Sequence, residues 1–390
     1  MRAEQTFPIG AAVALDQFER DPHPMLAQLR ESEPVSWIPA LECWLVTRHD
    51  LALQVIRDAE SYTVDDPRFS TGRVIGPSML SLDGKAHVRH RRPFSAPFRP
   101  RAVRERFVEL VEAEATRLIG ALQPTGKAEL RRSLAGPLAA YAMTRALGMG
   151  ADEIAAVLGW YDAIVTAVTE ITAGSDPPAA GQRAFADLRD RLLEVIRSGD
   201  SASLLAAAAS DTELSDDEIV SNAAVLLFGG IETTEGMIAN AVLALLQRPE
   251  ELARVRGQPG LLNVAIEESL RLEPAAAVVD RYAVGPSELA GARIAGGDLV
   301  RVSIAAANRD PAVFSEPDRF DLERPNSGRH LAFAHGPHVC VGVHLARLEA
   351  RTALATLLER LPGIRLDPEH PSTVSGLVFR KPQALHVTWT

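Results

Sequence analysis

One stretch near the middle of the chain limits what it can fold into. Ser215, with Glu218 three positions on, has the form of a capping box, and apolar residues then recur at helical spacing to Gln247, before Pro249 closes the pattern. About thirty residues at about 1.5 Å each make a rod of roughly 45 Å, long enough to cross a whole domain. Such a helix needs other helices around it. Gly229 and Gly230 interrupt its middle, each at a cost of about 1 kcal/mol relative to alanine. Something must require that weakness.

The surroundings fit a predominantly helical body. A helical period dominates from about residue 102 to 273, broken at Gln123-Pro-Thr-Gly and at Gly174-Ser-Asp-Pro-Pro, and a further helix is expected over 341–361. Strand-like runs gather near 35–47, 283–305 and 376–390. The fold class is therefore mainly α, a helical lobe with a small β-rich lobe. At 390 residues the chain exceeds the roughly 250–300 at which one core stops growing, so two lobes around a large interior are expected within one functional domain, 1–390. Thr63–Leu80 carries Asp-Pro, Thr-Gly and Gly-Pro breaks, which reads as a long loop of the kind that forms lids.

Charge and cysteine content exclude several classes. A net charge of −10 disfavours a protein that coats nucleic acid. Cys43 and Cys340 are far apart and form no disulfide framework, which fits a reducing cytoplasm. Cys43 lies in a strand pattern and reads as a small buried hydrophobe. The apolar run Ile9–Leu15 is too short for a signal peptide or a membrane span, so neither is expected. Within this acidic chain, Arg89, Arg91, Arg92, Arg99, Arg101, Arg104 and Arg106 form a dense basic segment: a solvated helix face, or a docking patch for an acidic partner.

The most informative segment is Phe333-Ala-His-Gly-Pro-His-Val-Cys-Val-Gly342, followed by a helix whose apolar stripe includes Leu345, Leu348, Leu354, Leu357, Leu358 and Leu361. Cys340 thus stands at a helix N-terminus, where the macrodipole and free N–H groups favour a thiolate, the metal-ligating form. Gly336 and Gly342 allow backbone to pass close to a flat ligand. A zinc site from His335, His338, Cys340 and His344 is an alternative, though one thiolate among closely spaced histidines is an unusual set.

Here the sequence resembles the cytochrome P-450 family, whose Phe-x-x-Gly-x-x-x-Cys-x-Gly motif is met by Phe333, Gly336, Cys340 and Gly342. The resemblance runs from before His87 to the terminal strands. It implies haem b, with Cys340 ligating iron, held between the long central helix and the cysteine-led helix. Glu268-Ser-Leu-Arg271, with Pro317-Asp-Arg319-Phe320 downstream, is similar to the family's structural triad, so Glu268, Arg271 and Arg319 are expected to join. Gly229-Gly-Ile-Glu-Thr-Thr234 resembles the oxygen-binding step, with Glu232 for the commoner Asp and Gly229 for the commoner Ala. It gives catalytic roles to Glu232 and Thr233. His87, Arg91, Arg281 and His338 resemble the donors that hold haem propionates. The resembled substrate pocket includes Leu227, Phe228, Ala276, Val278, Val279 and Val378.

The implied function is a monooxygenase that inserts one atom of dioxygen into a hydrophobic organic substrate. No flavin or iron–sulfur segment is recognisable, although the opening third and Phe379–Trp389 also resemble haem domains fused to a reductase. Two electrons are therefore expected from outside, from a ferredoxin or similar donor with its reductase. The competing reading is a haem-thiolate sensor or ligand-binding protein without turnover, which has no need of the acid and hydroxyl at Glu232 and Thr233.

Overall fold

The protein is described here from a computed structural model covering residues 6–172, 176, 178–198, 203–210 and 213–390. The predicted break at Gly174-Ser-Asp-Pro-Pro has Gly174, Ser175 and Pro177 outside the described residues. The chain divides into two compact units. The first comprises Met1–Asp66, Asn240–Cys340 and Ser372–Gln383; the second comprises Pro67–Ala239, Val341–Pro371 and Ala384–Thr390.

The first unit holds a five-stranded sheet. Val35–Ile38 pairs antiparallel with Cys43–Val46, which pairs parallel with Leu299–Ser303; Val278–Ala283 and then Tyr62–Thr63 extend it antiparallel. Valine, isoleucine and tryptophan suit these strands because branched and aromatic chains pack on a pleated surface. Trp44, Val46, Val300 and Val302 are buried against Val55 and Ile56 of the helix His49–Arg57. Each such side chain contributes roughly 1.5–3 kcal/mol of burial. The indole N–H of Trp44 donates to Asp298 at 2.9 Å, so the largest buried ring leaves no polar atom stranded.

The second unit is helical. The helix Val343–Arg360, which buries Leu345, Leu348, Leu354 and Leu357, packs on Pro100–Leu122. The helix Ala151–Thr172 is long and apolar enough to cross a membrane by length and composition. It packs against the helices Ala179–Ser198, Gly136–Leu147 and Ser70–Ile75. A small sheet joins Lys127–Glu129, His386–Thr388 and Arg365–Leu366.

The long helix spans Asp216–Leu246, opening with the expected reciprocal cap: the Ser215 N–H donates to Glu218 Oε2 at 2.9 Å, and the Glu218 N–H to Ser215 Oγ at 3.4 Å. The segment expected to be an irregular lid contains the helix Ser70–Ile75, and its end is tied down. Asn222 of the long helix accepts the Met79 N–H at 2.7 Å and donates to His90 Nδ1 at 3.0 Å. The helix is only six residues long, too short to be signalled by periodicity, and it is stabilised by packing.

Candidate active site

In the first unit, the cysteine loop is closed on itself. The Cys340 N–H donates to the Phe333 carbonyl at 2.9 Å, and a turn at Gly336–His338 lies between. Gly336 has φ +72°, and a Cβ there would lie 2.9 Å from Ile56 O and 3.0 Å from Arg57 Cα. Glycine is therefore required by the helix His49–Arg57 behind the loop. Burial holds the His335 imidazole below its ordinary value, helped by Arg57, His49 and His330. The loop thus lies in electropositive surroundings.

Cys340 is exposed, whereas Cys43 is fully buried and its thiol is pushed up to about 12 by burial, only partly offset by Arg301. Cys340 is the thiol that can meet a ligand. It precedes Gly342, the N-cap of Val343–Arg360, by two positions, so helix and cysteine loop are continuous. The grouping of metal-ligating side chains among the described residues is Asp367, Glu369 and His370. His335, His338, Cys340 and His344 do not form such a grouping among the described residues. An exposed thiol at the head of a helix fits a cofactor that brings its own ring of nitrogen donors, as haem does.

In the second unit lie the long-helix residues that the sequence singles out for oxygen chemistry. A Cβ at Gly229 would meet nothing within 4 Å, but one at Gly230 would lie 2.7 Å from Met143 Cγ and Sδ. The two glycines have different reasons: Gly229 leaves open space, and Gly230 admits Met143. The Thr233 hydroxyl donates to the Gly229 carbonyl at 2.7 Å, four residues back, which leaves its oxygen lone pairs free to accept. Glu232 is 2% exposed and accepts a hydrogen bond from the Tyr161 hydroxyl. Tyr161 also contacts Glu235 at 3.0 Å, and Arg131 Nε reaches Glu235 Oε1 at 2.5 Å. Sequence reasoning missed Tyr161, Glu235 and Arg131. Only the i, i+3 spacing of Glu232 and Glu235 signalled that both acids share a helix face.

The remaining expected site residues fall within one unit or the other. His87 is buried on the helix Gly84–Ser95, with half-buried Arg91 one turn on. Arg281 is buried on its strand and donates to the Asp280 carbonyl at 2.7 Å, and His338 ends the turn beside Cys340. Ala276 bridges to Phe379, and the Ala277 N–H donates to the Val378 carbonyl at 2.9 Å. That pairing brings Ala276, Val278 and Val378 into one neighbourhood, with Val279 against the sheet core. Leu227 and Phe228 are buried on the long helix.

The triad requires a correction. Arg271 donates from Nε and one terminal nitrogen to Glu268, both at 2.8 Å, but the second guanidinium on that carboxylate is Arg324, at 2.8 Å. Arg319 points outward to Glu316 and offers only its carbonyl to Arg271 and Arg324. All three triad side chains are buried, which places the carboxylate between two fixed cations.

The cytochrome P450 family model matches residues 187–383. The cytochrome P450 monooxygenase PikC of Streptomyces venezuelae is 36% identical over 394 residues, covering 95% of this chain and 92% of that protein. This chain is a cytochrome P450. Nocardicin C N-oxygenase of Nocardia uniformis subsp. tsuyamanensis is 34% identical over 99% of this chain and 98% of its own length. Among solved structures, P450BioI in complex with hexadec-9Z-enoic acid ligated acyl carrier protein superposes with TM-score 0.88 at 28% identity, covering 96% of this chain and all of that one. As a P450 the protein is a haem b monooxygenase, an oxidoreductase acting on an organic substrate with dioxygen and redox partners. The sensor reading falls, because the relatives are named for oxygenation.

Proposed function

We propose that Cys340 is the axial thiolate of this P450 and that Glu232 and Thr233 handle the protons of its reaction, with an apolar organic molecule as substrate. The observation that carries this reading is on the long helix. A buried carboxylate and a back-bonded hydroxyl occupy adjacent positions, one turn from the open space at Gly229.

Haem, when bound, supplies the iron at which dioxygen is reduced and its O–O bond is cleaved. Cys340 Sγ holds that iron. Residues His87, Arg91, Arg281 and His338 are the hydrogen-bond donors suited to the propionates, and Phe333, Gly336 and Gly342 shape the loop around the ligand. The net change joins one oxygen atom to the substrate and reduces the other to water, consuming two electrons and two protons. Glu232 is the group that holds a proton and passes it toward the reacting oxygen. Thr233 places its hydroxyl as the hydrogen-bonding partner that fixes where the proton arrives. Leu227, Phe228, Ala276, Val278, Val279 and Val378 supply an apolar lining that excludes water and selects hydrophobic substrates.

For electrons, an acidic carrier of the ferredoxin type is favoured by the exposed Arg92, Arg99, Arg101, Arg104 and Arg106. Arg89 leaves that face, since it is engaged with Glu218. Arg104 adds its charge to His344 at the start of the helix that follows Cys340, so the basic face borders that helix.

The decisive test is the reduced carbon monoxide complex. The wild type should show the far-red-shifted Soret band of thiolate ligation, and Cys340→Ala should lose it. An active protein with a histidine-type spectrum would overturn the assignment.

A further inference from the structure

We propose that His330 is a positioning residue for the thiolate ligand, a buried imidazole with its proton on Nε2 that ties the start of the cysteine loop to the helix Leu261–Leu272. The proposal rests on Cys340 being that ligand.

The two ring nitrogens decide the tautomer. Nδ1 lies 3.2 Å from the backbone nitrogen of Ala332, whose N–H can only donate, so Nδ1 accepts and carries no proton. The ring's proton is then on Nε2, which lies 3.1 Å from Glu267 Oε2 and donates to it across 63 positions of sequence. Among the described residues, each ring nitrogen meets that one partner. His330 is 5% exposed, so solvent does not replace either bond.

The same short segment hangs from the same helix at a second point. The Leu331 N–H donates to Asn308 Oδ1 at 2.7 Å, the Asn308 amide donates to the Leu270 carbonyl at 3.3 Å, and the Arg271 guanidinium donates to the Asn308 carbonyl at 3.1 Å. Asn308 thus fixes Leu331, and His330 fixes Ala332. Both are needed because the chain turns sharply there: the Ala334 N–H donates to the Leu331 carbonyl at 2.8 Å, and Ala334 has φ +55°, a left-handed conformation that a residue with a Cβ seldom adopts. Such a conformation persists only where its surroundings fix it.

From that turn the constraint reaches the thiol. Phe333 follows Ala332, its ring lies 5.9 Å from the imidazole, and its carbonyl accepts the Cys340 N–H at 2.9 Å. The path Glu267, His330, Ala332, Phe333, Cys340 is three hydrogen bonds and one peptide bond, all within the first unit. Without the acceptor at Nδ1 the turn relaxes, the Phe333 carbonyl moves, and the Cys340 amide loses its tether. The sulfur is then easier to protonate or displace.

Two amide side chains, each copying one ring nitrogen, test this on the haem-loaded full chain. His330→Asn places an acceptor oxygen where Nδ1 stands, His330→Gln keeps only the donor toward Glu267, and His330→Phe keeps neither. The reduced carbon monoxide complex is held in mild urea, with tryptophan fluorescence showing the fold intact, and loss of the far-red-shifted Soret band is timed. His330→Phe and His330→Gln should lose the band about tenfold faster than wild type, the weight of one hydrogen bond, and His330→Asn should stay within about threefold. A residue that only filled space would give the reverse order, since Phe matches the imidazole in bulk better than Asn does. Ring-nitrogen magnetic resonance of the same diamagnetic complex, with isotope-labelled histidine and the His330 signals identified by their loss in His330→Asn, should place the proton on Nε2. A proton on Nδ1, or a His330→Asn variant as fast as His330→Gln, overturns the proposal. If His330→Phe does not fold, the order of Asn and Gln decides. A wild type without the thiolate band sinks the Cys340 assignment and this proposal with it; a wild-type band that all three variants lose at one rate sinks this proposal alone.

Discussion

Arg324 Nε lies 2.8 Å from Oε1 of Glu268, an oxygen that also accepts from Arg271 at 2.8 Å. The Asp321 N–H adds a third contact to the same atom at 3.0 Å. Arg324 also donates to the carbonyls of Ser315, Glu316 and Arg319, so removing it leaves Glu268 to Arg271 and Asp321 and strands buried acceptors at about 1–3 kcal/mol each. Arg324→Ala should therefore be strongly destabilised in denaturant unfolding. Arg319, outward and exposed, should tolerate Ala to within about 0.5 kcal/mol. Equal effects of the two changes would contradict the geometry.

Thr233→Ala should fold, bind haem and bind substrate like the wild type, since Ala favours helix slightly over Thr. Its defect should appear in coupling: less product and more hydrogen peroxide per NADH consumed, because the partner that fixes the arriving proton is gone. Unchanged coupling would move the role to Thr234 or to Glu232 alone.

At Gly336, positive φ and backbone contacts act together. Gly336→Ala should cost about 1–2 kcal/mol for the left-handed conformation alone, with further loss from displacing the loop off Ile56 and Arg57. Haem dissociation, followed by transfer to a haem-scavenging protein, should be faster in the variant. Wild-type retention and stability would show that the loop has room to give.

Glu349 makes stability pH-dependent in an unusual direction. It is fully buried on the helix after Cys340, its Oε2 has no hydrogen-bond partner among the described residues, and burial raises its pKa well above the ordinary value of 4.5. In the folded chain it stays protonated where the unfolded chain is ionised. Its favourable contribution is complete below the unfolded value and is lost as pH rises. Glu349→Gln, neutral at every pH, should raise the unfolding midpoint at pH 8 and change it little at pH 4. The opposite order would indicate an ionised, paired Glu349.

The basic face should act through rate. Arg101 pairs with exposed Glu105, and Arg104 is exposed. Reversing both charges should slow haem reduction by an acidic carrier several-fold at low ionic strength and converge with wild type at high salt. Salt-independent rates would make the arginines an ordinary solvated surface.

Local signals were legible in the sequence where the physics is local. The cap at Ser215 and Glu218, the loop from Phe333 to Cys340 and the Glu268–Arg271 pair each lie within ten residues. The third triad member was misread because Arg319 and Arg324 belong to the same irregular loop, and spacing does not tell which one turns inward. Tyr161 and Glu232, 71 positions apart, meet only through packing. Gly229 and Gly230 look alike in sequence, and only Met143 distinguishes them.

The pairing of His386–Thr388 with Lys127–Glu129 has a consequence for biosynthesis. The early strand leaves the ribosome long before its partner exists, and at typical synthesis rates of roughly 5–20 residues per second the delay is on the order of 13–50 s. Throughout that interval the edge of Lys127–Glu129 stands unpaired, a template for any passing strand. Lys127 on that strand and Arg131 and Arg132 just after it outweigh Glu129 and leave a net positive charge beside the waiting edge, which disfavours pairing with a second nascent copy of the same segment until His386–Thr388 arrives.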